Sequence, residues 1–281
     1  MTSPVSETQG VQGMPEFLFL EQYTLQHHIG QIISQSWGTT ENTLFTSGGK
    51  QVLNNFNSFY QQAANAGMSI FASSGDGGVA NPNLNGKIYP FPTVGFPASS
   101  PYVTAVGGTS LTASTSGQYQ SEAAWGGSGG GVSQYFKEPA YQAGLPDQHI
   151  LKGFRGLPDI SANADPATPI LIYLSFLGPQ NAGYFGIGGT SEASPLWAGI
   201  TADGNQWAGR PLGFINPALY LLGNGSDGAT AYHDITVGNN SSNNIPGYFA
   251  KPGWDLVTGW GTPNAGVLLQ ELIEITGGVP S

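Results

Sequence analysis

The segment Gly188-Gly189-Thr190-Ser191-Glu192-Ala193-Ser194-Pro195 sets a serine hydroxyl at the mouth of an apolar helix. Glycines let the backbone turn sharply and come close to a substrate. A hydroxyl in the first helical turn lies in the positive field of the helix N-terminus, which favours an oxyanion forming beside it. Pro195 suits that turn, where its missing N–H costs little. The same residues also read as an ordinary helix cap, with Thr190 or Ser191 accepting from backbone N–H groups. A nucleophile further needs a base. The four histidines are His27, His28, His149 and His233; none lies in a His-Gly-Thr turn, and no His-x-x-x-His pair occurs. A Ser-His-Asp relay and a histidine zinc site therefore both lack candidates. His27-His28 reads as a partly exposed pair at a helix end.

The elements that would hold Ser191 follow from hydrophobic spacing. Ile29–Trp37 is a short apolar run ending in Gly38, which suits a buried strand. Val52–Ala66 has helical spacing, with Gly67 as its stop. Met68–Ser73 is another apolar strand and runs straight into the turn Ser74-Gly75-Asp76-Gly77-Gly78. Tyr102–Val106 is a third, read as ended by Gly107. Ser191–Ala208 reads as a helix with Leu196, Trp197, Ile200 and Trp207 inward, and Ala265–Ile275 as a C-terminal helix. Apolar strands alternating with helices predict a parallel sheet covered on both faces. In such sheets chemistry gathers in loops at the carboxyl ends of strands, where Gly38, Asp76 and Gly107 would sit.

Composition narrows the class. The 281 residues carry Lys+Arg 7 against Asp+Glu 17, a net charge of -10, with only 9% charged residues. Clustered cations for phosphate contacts are lacking, so a nucleic-acid partner is disfavoured. An anionic membrane surface is disfavoured on the same ground, and no apolar run is long enough for a membrane helix. With Cys 0, disulfides and thiol chemistry are excluded. A surface of neutral polar residues keeps its hydration when carboxylates protonate, which points to acidic, extracellular surroundings. Met1-Thr2-Ser3-Pro4 does not begin a secretion signal.

The Ser191 segment and the Asp76 turn stand in order with further motifs. These are Ser34-Gln35-Ser36-Trp37-Gly38, Gly129-Gly130-Gly131-Val132-Ser133, Pro158-Asp159-Ile160-Ser161-Ala162-Asn163-Ala164-Asp165-Pro166 and His233-Asp234-Ile235-Thr236. The last is Gly253-Trp254-Asp255, continued by Thr258-Gly259 and Gly261-Thr262-Pro263-Asn264. Each is weak alone. Together, from about Ile29 to Asn264, the set resembles the sedolisins, the serine-carboxyl peptidases. The resemblance implies one domain over 1–281 with an α/β, subtilisin-like three-layer fold and a mainly parallel sheet. It implies Ser191 as nucleophile and Asp76 as the aspartate whose protonated carboxyl helps form the oxyanion hole. A neutral acid can donate a hydrogen bond where a carboxylate would repel, given a raised pKa or an acidic medium. Without the resemblance, Asp76 reads as a turn residue beside glycines.

By the same resemblance, Ser36, Trp37 and Gly38 form a strand end that pairs with an extended polypeptide substrate. Trp37 reads equally as core packing. Ser73, Ser74 and Gly75 would wall the pocket for the residue before the cut. Asp234 and Asp255, with the carbonyls of Ile235, Lys251 and Gly253, resemble a Ca2+ site of the all-oxygen kind. Asp159 and Asp165 look structural, around Pro158 and Pro166.

One part of the pattern is missing. Sedolisins activate the serine with a glutamate oriented by an aspartate, four residues apart on one helix face. Before Trp37 the acidic residues are Glu7, Glu16 and Glu21, and the first aspartate is Asp76. Glu271 and Glu274, the one close carboxylate pair, read as a solvated face. The expectation is a domain lacking early strands and one helix, active at acidic pH if a separate N-terminal segment supplies the pair. The alternatives are a non-catalytic peptide-binding module, or a serine hydrolase acting on esters or other amides. Exposed sheet edges predict self-association.

Overall fold

The computed structural model describes residues 13–277; Glu7 and the rest of the stretch 1–12 lie outside the described residues. Ile32–Gln35, Ser69–Ser73, Thr104–Ala113 and Ile160–Asn163 run parallel, each bonded to the next in that order. The far half of Thr104–Ala113 turns to an antiparallel pairing with Tyr119–Ala124. Successive side chains of a strand point to opposite faces, and here both faces are apolar. Ile70, Ala72 and Ala105 pack with Phe56, Phe59 and Tyr60 of the helix Ser47–Asn65. Phe71, Val106 and Ile160 pack with Trp197 of the helix Thr190–Ala208. The result is the expected three-layer α/β arrangement, and its carboxyl-edge loops carry the candidate residues.

Local differences have physical causes. The second helix starts at Ser47, five residues before its apolar stripe, because the Thr46 hydroxyl accepts the Gly49 N–H at 3.1 Å and caps it. Gly107 does not end its strand but lies inside it. A Cβ on Gly107 would meet Pro158 and Ser161 at 2.7 Å, and one on Gly108 would meet Trp125 at 2.8 Å, so these glycines serve close packing rather than a turn. Leu196 and Trp207 face outward, 44% and 62% exposed, while Trp197 is buried and donates to the Ser161 carbonyl at 2.8 Å. His27 and His28 do sit at a helix end, just after Met14–Gln26.

Asp159 anchors the turn at Pro158 from within the core. Its carboxylate accepts from Arg155 at 2.8 and 2.6 Å, from the Ala105 N–H at 2.7 Å and from the Tyr220 hydroxyl at 2.8 Å. A hairpin of Ile170–Leu174 and Gly183–Ile187, not foreseen from the spacing, connects this region to the Ser191 helix. No helix among the described residues is long and apolar enough to cross a membrane.

Candidate active site

Two loops meet at Ser191. One leaves the carboxyl end of Ser69–Ser73 and carries Asp76; the other, Gly188-Gly189, delivers Thr190 and Ser191 to the helix start. Asp76 Oδ1 accepts the Thr190 N–H at 2.7 Å and the Thr190 hydroxyl at 2.9 Å. Thr190 Oγ1 in turn accepts the Gly75 N–H at 3.0 Å. Gly189 has φ 91°, and a Cβ there would lie 2.7 Å from Asp76 Oδ2, so both conformation and space demand glycine. The Ser36 hydroxyl donates to the Ser191 carbonyl at 3.0 Å and ties the first strand's end to the same point.

The Gly-rich stretch forms the buttress behind the Asp76 loop. Gly129 N–H donates to the Gly75 carbonyl at 2.9 Å, and Gly78 N–H to the Gly127 carbonyl at 2.9 Å. A Cβ on Gly129 would stand 2.2 Å from the Ser74 carbonyl, which explains the run of glycines.

A cleft of about 370 Å³ opens here, lined by Ser36, Trp37, Gly38, Ser73, Ser74, Gly75, Asp76 and Ser191 among others. Every residue proposed from the sequence for nucleophile, oxyanion partner and substrate wall thus borders one cavity. Trp37 has both of its alternative settings at once: it lines the cleft and stacks on Phe17 at 4.5 Å. Asp76 is the one titratable side chain among the described residues that line the cleft. Glu21 lies elsewhere, buried on the first helix, where burial pushes its carboxyl up to about 8.

Two residues beside Ser191 stand out in the structure and not in the sequence pattern. Thr190 was weighed only as a cap, yet it is the latch that holds Asp76. Glu192, directly after the nucleophile candidate, is 3% exposed, and neither carboxylate oxygen has a hydrogen-bond partner among the described residues. Burial pushes its carboxyl up to about 7. Only its place beside Ser191 could have signalled it.

Asp234 and Asp255 lie away from the cleft but bracket one turn. Gly253 N–H donates to Asp234 Oδ2 at 2.9 Å, and Lys251 N–H to Asp255 Oδ2 at 3.0 Å. Asp255 is 1% exposed, and burial pushes its carboxyl up to about 6. No cation pairs with it among the described residues, since the Lys251 ammonium goes to Asp147. A buried carboxylate answered only by amide and hydroxyl donors fits a hard cation held with nearby carbonyls. No group of three or more His, Cys, Asp or Glu side chains that could hold a metal occurs among the described residues, so such a site would rest on carbonyls.

The chain is similar to known proteins. Residues 20–208 match the model of the subtilase family. Kumamolisin of Bacillus sp. (strain MN-32) is 38% identical over 257 residues, 88% of this chain and 43% of that protein. Human tripeptidyl-peptidase 1 is 32% identical, over 85% of this chain and 42% of its own. The solved structure of Pseudomonas sedolisin, a serine-carboxyl proteinase bound to two molecules of pseudo-iodotyrostatin, superposes with a TM-score of 0.79 at 32% identity. The match covers 92% of this chain and 69% of that one. The chain spans about two fifths of the length of these two curated relatives.

Proposed function

The chain belongs to the sedolisin family of the subtilases, and from that premise we propose that it is the serine-bearing part of an endopeptidase acting in acidic, extracellular surroundings. The observation that carries the reading is the contact of Asp76 with Thr190, which brings a carboxyl to the residue before an exposed serine inside a cleft.

In this reading a polypeptide lies extended along Ser36-Trp37-Gly38. The Ser191 hydroxyl attacks the scissile carbonyl while a carboxylate base from outside the described residues takes its proton. Protonated Asp76 donates to the developing oxyanion. The base returns the proton to the leaving amine, and water then hydrolyses the acyl-enzyme by the same steps in reverse. Ca2+ on Asp234 and Asp255, with the carbonyls of Ile235, Lys251 and Gly253, would supply charge neutralisation and no chemistry. Its loop reaches the site through Asn240, whose carbonyl accepts the Val79 N–H at 3.1 Å beside the Asp76 turn.

The test is incubation with an unfolded protein at acidic pH, beside Ser191→Ala. Cleavage that vanishes in the variant supports the reading. A second reading, a module that holds peptides without cutting them, is favoured by one observation: Asp76 is the one carboxyl lining the cleft among the described residues. Peptide binding that survives Ser191→Ala, without any cleavage, selects it. Turnover of small activated esters alone would point instead to a hydrolase of esters or other amides.

A further inference from the structure

A second concavity lies beside the antiparallel pair Gly131–Lys137 and Phe154–Leu157. Val132 pairs with Gly156 and Lys137 with Phe154, so the residues 133–136 stand against Arg155 alone. Such a bulge bends its strand away from the partner. The Ser133 hydroxyl oxygen accepts the Tyr135 and Phe136 N–H groups, at 3.1 and 2.8 Å, and holds that shape. A groove of about 580 Å³ opens there, walled by Phe91, Val132, Ile150, Phe154 and Tyr248. It shares no lining residue with the Ser191 cleft. Small-molecule sites run to roughly 300–1,000 Å³ and are mostly apolar with few polar groups.

Lys152 is the one charged residue lining this groove. It ends the single helical turn Gln148–Leu151 at φ 51° and is exposed. Phe154 carries a second cation, the Lys137 ammonium, 4.0 Å from its ring centre. Neither lysine pairs with a carboxylate among the described residues, where the ion pairs are Arg155 with Asp159 and Lys251 with Asp147. Nearby acids are engaged: Glu138 accepts from Gln148 at 2.6 Å, and buried Glu41 accepts the Ser133 hydroxyl at 2.6 Å. The chain has Lys+Arg 7 and a net charge of -10. Two cations without counter-charge at one apolar groove are a local complement to an anion.

We propose that this groove binds an amphiphilic carboxylate, its alkyl or aryl body on Phe91, Ile150 and Phe154 and its single anionic head at Lys152. A fatty acid and the C-terminal end of an apolar peptide share that chemistry. A sugar would find few partners, since the Ser133 hydroxyl and the Gln134 side-chain carbonyl are already bonded to Glu41 and Asn42. The inference does not depend on catalysis at Ser191.

Isothermal titration calorimetry of the Ser191→Ala chain at about pH 6, where alkyl carboxylates are ionised, tests it with decanoate, decylammonium and acetate. Decanoate should fill one saturable site, decylammonium should bind at least about tenfold more weakly, and acetate should not bind. The overall negative charge favours the cation, so a preference for decanoate reads the groove. Lys152→Gln should weaken decanoate roughly fivefold, the worth of one exposed ion pair. Lys50→Gln, the same loss of charge at an exposed position of the helix Ser47–Asn65, should not. Phe91→Ser, a change at an exposed residue, should weaken decanoate and decylammonium alike. A hexapeptide ending in Leu-Phe, with its C-terminus free or amidated, separates the sources. Binding of decanoate alone marks a fatty-acid site; binding of the free but not the amidated peptide marks a site for peptide ends. The inference is overturned if neither decanoate nor the free peptide binds, if decylammonium matches decanoate, or if Lys152→Gln behaves as Lys50→Gln does.

Discussion

Thr190 grips Asp76 twice, through its N–H at 2.7 Å and its hydroxyl at 2.9 Å, and so the residue before Ser191 holds a carboxyl that lines the same cleft. The same hydroxyl oxygen accepts the Gly75 N–H. One fully buried threonine therefore joins the strand-end loop to the helix start. Thr190→Val keeps the shape and removes both bonds made by the hydroxyl. Leaving the Gly75 amide without its acceptor should cost about 1–3 kcal/mol in urea unfolding. Thr190→Ser should recover most of that stability. Equal stability of the valine and parent chains would mean that the latch is unimportant.

Asp76 is expected to act as a donor, and a carboxyl donates only while it carries its proton. An amide donates at any pH. Asp76→Ala should therefore slow Ser191 acylation by an activated ester about 10²–10³-fold at acidic pH, the usual loss for an oxyanion donor. Asp76→Asn should lose less, because its amide still donates. If alanine and asparagine behave alike, the carboxyl is not a donor to the oxyanion.

The parts of this architecture that are legible in the sequence are those governed by short-range patterns. Phe71 and Ile70 alternate between two apolar layers, and that forces a doubly covered sheet whose loops must carry the chemistry. The convergence of Ser36, Asp76 and Ser191 on one cleft came from the joint order of motifs, because no spacing rule brings together residues so far apart along the chain. Gly107 misled because a glycine written in sequence looks the same whether it opens a turn or admits Pro158 and Ser161 against the strand. Trp207 misled because ten positions along a helix with 3.6 residues per turn set it about 80° around the axis from the buried Trp197. The Ile170–Leu174 hairpin escaped notice because its strands are apolar on both sides, so no alternation marked them.

Glu192 should make stability depend on pH. Burial pushes its carboxyl up from 4.5 to about 7, so between these values the folded chain holds a proton that the unfolded chain releases. Stability should then fall as pH rises through that window. Glu21, pushed up to about 8 by burial, acts in the same direction and extends the fall. Asp255, pushed up to about 6 by burial, acts in the same direction, and Glu192→Gln removes one of these contributions. The variant should match the parent at strongly acidic pH and exceed it at neutral pH, as read from urea midpoints across the range. A parent chain whose stability rises steadily toward neutral pH would contradict the assignment.

Calcium should act through stability rather than through the chemistry of Ser191. Asp255 is buried among amide and hydroxyl donors, and Asp234 reaches the same turn from Gly253. A cation that binds only the folded chain stabilises it by mass action, about 2.7 kcal/mol at a hundredfold excess over Kd. Added Ca2+ should therefore raise the melting temperature, a chelator should lower it, and Mg2+ should act weakly because it sheds water reluctantly. Asp234→Ala should abolish the calcium-dependent increment while leaving most of the metal-free stability, since that side chain is exposed. Asp255→Ala should lower both, because three backbone N–H groups lose their acceptor with it. A melting temperature indifferent to Ca2+ and chelator in the parent chain would remove the metal from the reading and leave these aspartates as turn supports.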